Sequence, residues 1–455
     1  MMSLSMLADV LHGRRQGADV LFTGVGTDSR TLRRGDLFVA LVGERFDGHQ
    51  FLAEALAAGA AGALLARDVN TTLPTVKVND SRRGFGELAA FWRAQFDIPV
   101  IAVTGSNGKT TVKEMIGAIL GRGARGCVTR GNLNNDIGVP LTLCRLTAED
   151  RYAVIEMGMN HKGEIDYLTR LTHPTVAVIT NAAEAHLAGL GSVAAVARAK
   201  GEIFAGLTGD GVAIINDDDP HAGLWRALAA PHRVITFGLE RRPDVTAHYT
   251  LSRAGADLTL QTPAGEQYVR LPMLGRHNVL NALAATAAAL AAGATLADVR
   301  SGLESVRPVP GRLEVKDGVS GARVIDDTYN ANPASLAASL EVLKEFQGDR
   351  MLVLGNMGEL GEQTGELHRR VGKTAKAMGI QRLYAFGDLA ALAAKAFGKA
   401  GRAFDRPEAL IDALIDVMHS GMTVLVKGSR AAHMERVVHG ILRGRDEPVT
   451  DTPEN

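Results

Sequence analysis

Short, almost wholly apolar runs punctuate this chain, and most are followed by a glycine or polar turn and then a helical pattern. VIAVTG before TVKEMIGAIL, YAVIEMG before EIDYLTRL and TVAVITN before SVAAVARAKGEIFAGL repeat the theme, and GVAIIND and HRVITFG add two more apolar runs. Strands that are hydrophobic on both faces belong in a parallel sheet covered by helices, so an α/β fold is expected. A different texture follows: VTAHYTLSRAGADLTLQTPAGEQYVRLPM alternates and carries glycine turns, which predicts an antiparallel excursion before the helix GRHNVLNALAATAAALAAG. Upstream, LFVAL, GALLA and PTVKVND read as strands of a smaller mixed α/β unit, and SRRGFGELAAFWRAQF reads as an amphipathic connector that Pro99 ends. Downstream, RVIDDTYNANPASLAASLEVL, RMLVLGNMGELGE, QRLYAFG and TVLVKGSRAAHMERVV form a further α/β set, Rossmann-like in texture. The run VRPVPGRLEV is the expected hinge before it, and the polar tail GRDEPVTDTPEN is expected to fray. Three units result, placed at 1–82, 83–312 and 313–455.

Composition narrows the function. Lys plus Arg number 50 and Asp plus Glu number 50, which leaves no broad basic excess for nucleic acid. With 46% hydrophobic and 22% charged residues, a sizeable soluble core is expected. The start MMSLSMLADVLHG lacks the pattern of a secretion signal, and the alanine-rich run after Leu280 is too short and too weakly apolar for a membrane span. Cys127 and Cys144 have no metal-like spacing and read as reduced structural cysteines, so a cytoplasmic protein without membrane insertion is expected. Nothing marks an interface, and a monomer is expected.

The chemistry gathers where strands end. Gly105, Ser106, Asn107, Gly108, Lys109, Thr110 and Thr111 lie between a strand and a helix. Glycines let backbone N–H groups close on phosphate, the helix offers its positive end, Lys109 can reach the terminal phosphates and Thr110 can offer a hydroxyl to Mg²⁺. The standard spacing would need a glycine where Val103 stands, so the loop is a shortened form. Glu156 ends a strand and suits a metal, or caps the next helix. His186 can bind metal or substrate, or be structural. Lys200, on a helix, reads by itself as a surface lysine. Asn278 can meet a purine edge or serve as a cap. In DDTYNANP, Asp327, Tyr329, Asn330 and Asn332 form either a turn or a ligand loop. Lys427 and Ser429 of VKGSR suit a carboxylate or phosphate. LGNMGELGE is a loose glycine pattern and only weakly suggests a dinucleotide.

The ordered set TGSNGKTT, GNLNNDIGVP, VIEMGMNHKGEI, ITNAAEAHL, ARAKGEIF, GRHNVLNALAA, VPGRLEV, IDDTYNANPAS and LVKGSR resembles the ATP-dependent Mur ligases, and DDTYNANP points to the member that adds D-alanyl-D-alanine. The resemblance implies an α/β, three-domain Mur ligase architecture, with a central parallel-sheet P-loop ATPase domain and a C-terminal Rossmann-like domain. The first domain would bind the UDP substrate, the second ATP and Mg²⁺, and the third the incoming dipeptide. The implied reaction activates the tripeptide carboxylate of UDP-N-acetylmuramoyl-tripeptide as an acyl phosphate for attack by D-alanyl-D-alanine. A folylpolyglutamate synthetase-like ligase and a non-catalytic nucleotide-binding protein are the alternatives. By motif, Lys109 is implied at the phosphates and Thr110, Glu156, His186 and Lys200 at metal, Lys200 as a carbamate. Asn278, Asp327 and Tyr329 are implied near ATP, and Asn330 and Asn332 near the reacting groups. Asn134 and Asn135 are implied at the muramoyl peptide, Ser29, Arg30, Phe46 and Asp47 near the uridyl part, and Lys427 and Ser429 at the dipeptide.

Overall fold

A computed structural model describes residues 1–43 and 46–444. Glu44 and Arg45 of the GERFDGH loop, and the polar tail beyond Gly444, lie outside the described residues. The apolar run at Val100–Thr104 is fully buried along its length and forms the third-from-edge strand of a six-stranded sheet. In order, that sheet runs Arg233–Phe237, Val212–Asn216, Val176–Ile179, Val100–Thr104, Ala153–Glu156 and Cys127–Val128, every pair parallel. Burying each Val, Ile or Leu side chain here contributes ~1.5–3 kcal/mol, which is why these strands carry almost no polar residue before their carboxyl ends. The short strand Cys127–Val128 and the helix Gly138–Leu143 were not foreseen, because two-residue strands and one-turn apolar helices show no period.

Two hydrophobic layers cover the sheet. One face joins Ala102, Ile155, Ala177 and Ile215 to Leu4, Leu7, Phe85 and Leu88, so the first unit and the central sheet share a continuous core. The helix Ser81–Arg93 makes that link. Asp80 caps it through Arg82 and Arg83 N–H groups, and the expected boundary at 82 falls in its first turn. On the other face, Ile101, Val103, Val178 and Ile214 pack with the helix Arg276–Ala291. That helix is buried nearly all round, because the expected antiparallel layer, Thr246–Ser252, Gly255–Thr262 and Gly265–Leu271, lays its first two strands on it while the third packs on the helix Leu296–Ser305. Its alanines leave room for both neighbours to approach closely.

The first unit holds a five-stranded sheet of Arg14–Gln16, Thr75–Lys77, Gly62–Leu65, Asp36–Val39 and Gly24–Gly26, with an antiparallel pair of Met2–Ser3 and Leu21–Phe22 beside it. In the last unit a six-stranded sheet runs Glu314–Asp317, Arg323–Asp327, Met422–Lys427, Asp349–Gly355, Arg382–Phe386 and Gly401–Phe404; only its first pair is antiparallel. Its cores are separate from those of the central unit apart from Leu274. Between them Val306–Arg312 is neither helix nor strand, and Gly311 (φ +71°) and Leu313 (φ +52°) turn the chain through left-handed backbone.

Candidate functional site

Val100–Thr104 delivers the glycine loop to the helix Lys109–Leu120. Gly108 sits at the helix start with φ +83°, and a Cβ there would lie 2.4 Å from Asn281 Oδ1, so only glycine fits. No side chain caps this helix, which leaves its first N–H groups and positive end facing the cleft. The loop is braced from behind. Asn181 Oδ1 accepts from Asn107 N–H at 2.9 Å, and Thr180 Oγ1 donates to Asn107 O at 2.6 Å. Lys109 Nζ donates to Gly105 O at 2.8 Å, folded back over the loop. Desolvation by the surrounding protein pulls its ammonium below the ordinary lysine range, and Glu156 opposes that pull. This cradle suits a polyphosphate.

The neighbouring strand ends supply oxygen and nitrogen donors. Glu156, at the end of Ala153–Glu156, is 2% exposed. Its Oε1 accepts from Asn134 Nδ2 at 2.8 Å, while the buried Oε2 accepts no hydrogen bond and has Lys113 Nζ 3.8 Å away. An orphaned buried carboxylate oxygen in a cleft that Thr110 also lines is a fit for a hard divalent cation. His186 opens a short helix in left-handed backbone (φ +57°), with Nδ1 2.6 Å from Glu359 Oε2 at an angle too oblique for a formed hydrogen bond. Lys200 departs from its surface reading: it is 1% exposed, beneath the cleft rather than in its lining. The reason is tertiary, since the helix Val193–Gly201 turns Val196, Ala197, Ala199 and Lys200 inward together. Burial, aided by the charge of Lys109, drives its ammonium well below the ordinary range. Among the described residues no group of three or more His, Cys, Asp or Glu side chains is gathered into a metal cage, so a cation here would lean on water, hydroxyl and substrate oxygens, or on a modified Lys200.

The last unit closes the cleft from the opposite side. Asp327 ends Arg323–Asp327 and pairs with Lys427 Nζ at 2.5 Å, and Ser339 Oγ donates to it at 2.6 Å. Lys427 also donates to Asn330 O at 3.0 Å, so it serves the Asp327 loop. Burial lowers His277 beside them to about 4, with Asp327 opposing and Lys427 assisting. Asn332 caps the helix Pro333–Lys344 and donates across the seam to Asn107 Oδ1 at 2.8 Å. Arg312, in the hinge, stacks 4.2 Å over the Tyr329 ring and donates to Thr110 Oγ1 at 3.1 Å. Its sequence context, a glycine-arginine pair after two prolines, was read only as a boundary.

One cleft of about 1490 Å³ gathers Ser106–Thr111, Asn134, Asn135, Glu156, His186, Asn278, Asp327, Tyr329, Asn330, Asn332, Lys427 and Ser429. Arg312, Glu359 and His277 line it as well. Asn278 is committed internally, donating to Leu274 O and accepting from Asn281. Asn135 caps the helix at Gly138, and Ser429 N–H bonds Asn356 O. Ser29, Arg30, Phe46 and Asp47 do not line the cleft. Arg30 pairs with Asp28, Asp47 with His49 and Arg67, while Phe46 is 58% exposed.

Three family descriptions cover the chain in order: a Mur ligase family catalytic domain over residues 21–102, a Mur ligase middle domain over 103–289, and a Mur ligase, glutamate ligase domain over 311–430. The chain is 46% identical over 443 residues to the UDP-N-acetylmuramoyl-tripeptide–D-alanyl-D-alanine ligase of Escherichia coli (strain K12), spanning 96% of this chain and 98% of the relative. A crystal structure of MurF from Acinetobacter baumannii superposes with a TM-score of 0.91 at 38% identity, covering 97% of this chain and 98% of that one. The Thermotoga maritima MurF ligase in complex with ADP gives 0.81 at 28%, covering 92% and 97%. Mycobacterium tuberculosis folylpolyglutamate synthase gives 0.64 at 20%, covering 81% and 94%, a likeness of fold alone.

Proposed function

The chain belongs to the Mur ligase family, and from that premise we propose that it joins D-alanyl-D-alanine to the tripeptide carboxylate of UDP-N-acetylmuramoyl-tripeptide. It is an ATP-dependent ligase that forms a C–N bond in peptidoglycan precursor synthesis, and it has the three-domain Mur ligase architecture. The observation that carries this reading is the opposed pair of sheet ends: the open helix start at Lys109 faces the Asp327–Lys427 loop, joined by Asn332 and Asn107. The division at 1–82, 83–312 and 313–455 belongs to the same proposal, as do a monomeric state, no nucleic-acid partner and a cytoplasmic location. No described helix is long and apolar enough to cross a membrane.

A carboxylate is a poor electrophile, and bringing it to the γ-phosphorus sets two anions together. Lys109 and the uncapped N–H groups lower that cost by offering fixed positive charge where negative charge builds. Thr110, Glu156, His186 and Lys200 would hold Mg²⁺, which when bound supplies Lewis-acid charge stabilisation. Glu156 Oε2 supports this, being buried and without a hydrogen bond. Lys200 supports it differently: burial favours its neutral amine, the form that captures CO₂, and a carbamate would turn that amine into an anionic ligand. On the other side, Asn330 and Asn332 line the cleft where the acyl phosphate would meet the incoming amine, and Lys427 and Ser429 stand beside them for the dipeptide. The Asn332–Asn107 bond supports closure of the third domain over the second, which would shield the acyl phosphate from hydrolysis.

The test supplies ATP, Mg²⁺, UDP-N-acetylmuramoyl-tripeptide and D-alanyl-D-alanine together and weighs the product. Mass equal to both peptides less one water, with phosphate carrying labelled oxygen from the tripeptide carboxylate, is expected. ADP release without either peptide, or turnover of folate and glutamate instead, would overturn the reading.

A further inference from the structure

The glycine-rich stretch Gly355–Gly361 has no part in the function just argued, yet it meets the central unit at its metal side. Glu359 O accepts from Ala188 N–H at 3.4 Å, and a Cβ on Gly361 would stand 3.5 Å from the Ala188 backbone. The Glu359 carboxylate lies against His186, Oε2 to Nδ1 at 2.6 Å, where a small turn of the ring completes the hydrogen bond that the resting geometry leaves unmade. Each of these two residues sits in left-handed backbone, Glu359 at φ +61° and His186 at φ +57°. Non-glycine residues adopt that region at a cost of ~1–2 kcal/mol, so two in contact mark a junction that the surrounding packing enforces. Arg370 and Glu184 pair along the same seam.

Imidazole chemistry gives this contact a purpose. A histidine ligates through one ring nitrogen, and a carboxylate on the other nitrogen sets the tautomer and aims the ring. With Nδ1 facing Glu359, Nε2 is the nitrogen left to ligate. We propose that Glu359 is a positioning residue delivered by the third domain: it holds His186 as the Nδ1–H tautomer, with Nε2 available to the cation, only while that domain is docked. Gly361, whose backbone packs on Ala188, serves this docking rather than a dinucleotide. Because the Glu359 side chain keeps 58% of its surface exposed, the contact separates readily when the domains part. The metal site is thus completed across the seam, and cation binding and closure reinforce each other. The inference rests on the metal role of His186 proposed above.

Full-length protein labelled with ¹⁵N-histidine, with His186 assigned by loss of its signal in His186→Asn, reads the tautomer without activity. Metal-free wild type is expected in the Nδ1–H form and Glu359→Ala in the Nε2–H form. Binding of Mn²⁺ in the presence of ADP, followed by electron paramagnetic resonance, is expected to weaken ~10-fold in Glu359→Ala and at most ~3-fold in Glu359→Gln, whose amide oxygen still accepts. In turnover, kcat falls ~10–100-fold with the KM for ATP within ~2-fold. Wild type in the Nε2–H form, or Mn²⁺ affinity unchanged in both variants, overturns the proposal. Should the wild type show the Nδ1–H form and the Mn²⁺ dependence but no peptide ligation, the functional reading fails while the positioning role stands.

Discussion

Lys200 turns an ordinary residue into an unusual one by burial alone. Without its helix packing it would be a charged surface lysine; 1% exposed, it is driven toward the neutral amine. Lys200→Ala is therefore expected to lower turnover by at least ~100-fold, with the melting temperature little changed. Wild-type activity is expected to fall in CO₂-depleted buffer and return with bicarbonate, measured by phosphate release; indifference to bicarbonate would remove the carbamate from the account. His277 carries a pH signature. Its folded value of about 4 lies below the ordinary 6.5, so the unfolded chain binds the extra proton between those values. Stability from this group is fully present above pH 6.5 and is lost as pH falls toward 4. His277 is only part-buried and lines the cleft, which trims the loss to roughly 1–2 kcal/mol by pH 5. Urea melts at pH 7 and pH 5 should show that much less loss in His277→Asn than in wild type. Residues of this kind divide by legibility. Lys109, Thr110 and Glu156 announce themselves because a polar group after an apolar strand stands out. Lys200, Arg312 and Glu359 do not, because burial or a neighbour 150 or more positions away gives each its role, and local pattern carries no trace of either.

Elements were legible wherever a strand was buried on both faces. Val100–Thr104, Ala153–Glu156, Val176–Ile179 and Met422–Lys427 lie where the apolar runs predicted them. Short pieces such as Gly24–Gly26, paired by backbone with little side-chain signal, escaped. One element does two jobs. The helix Pro333–Lys344 begins at Asn332, whose carbonyl oxygen caps Ser335 while its amide nitrogen crosses to Asn107. Asn332→Ser separates the two, since serine caps as well as asparagine but is too short for the crossing. Helix stability is expected within a few tenths of a kcal/mol of wild type. Loss of the cross-domain bond, ~0.5–1.5 kcal/mol, should lower kcat/KM about 2–10-fold. A melt that drops with activity would mean the cap, not the crossing, mattered.

For the whole molecule, the seam between the second and third domains is polar and small in its contacts: Asn332 with Asn107, Glu359 with His186, Arg370 with Glu184 and Arg312 with Tyr329. Such a surface suits reversible closure better than permanent fusion. Arg370→Glu is expected to lower kcat/KM about 2–5-fold, and the exchanged pair Glu184→Arg with Arg370→Glu to recover most of it, in a double-mutant cycle. Failure of the exchange to recover activity would detach this pair from closure. The architecture was legible from the order of its strands, whereas the docked arrangement of domains was not, since nothing in a one-dimensional pattern sets the angle between two sheets.

The shared core beneath Ser81–Arg93 and the separate cores beyond Val306–Arg312 have a calorimetric consequence. Heat should divide the chain into two cooperative blocks, residues 1–305 melting together and residues 313–444 on their own, so a single transition temperature does not describe it. A nucleotide clasped by both blocks would draw the two endotherms together, and the narrowing gap between them would itself measure how tightly the tethered halves grip.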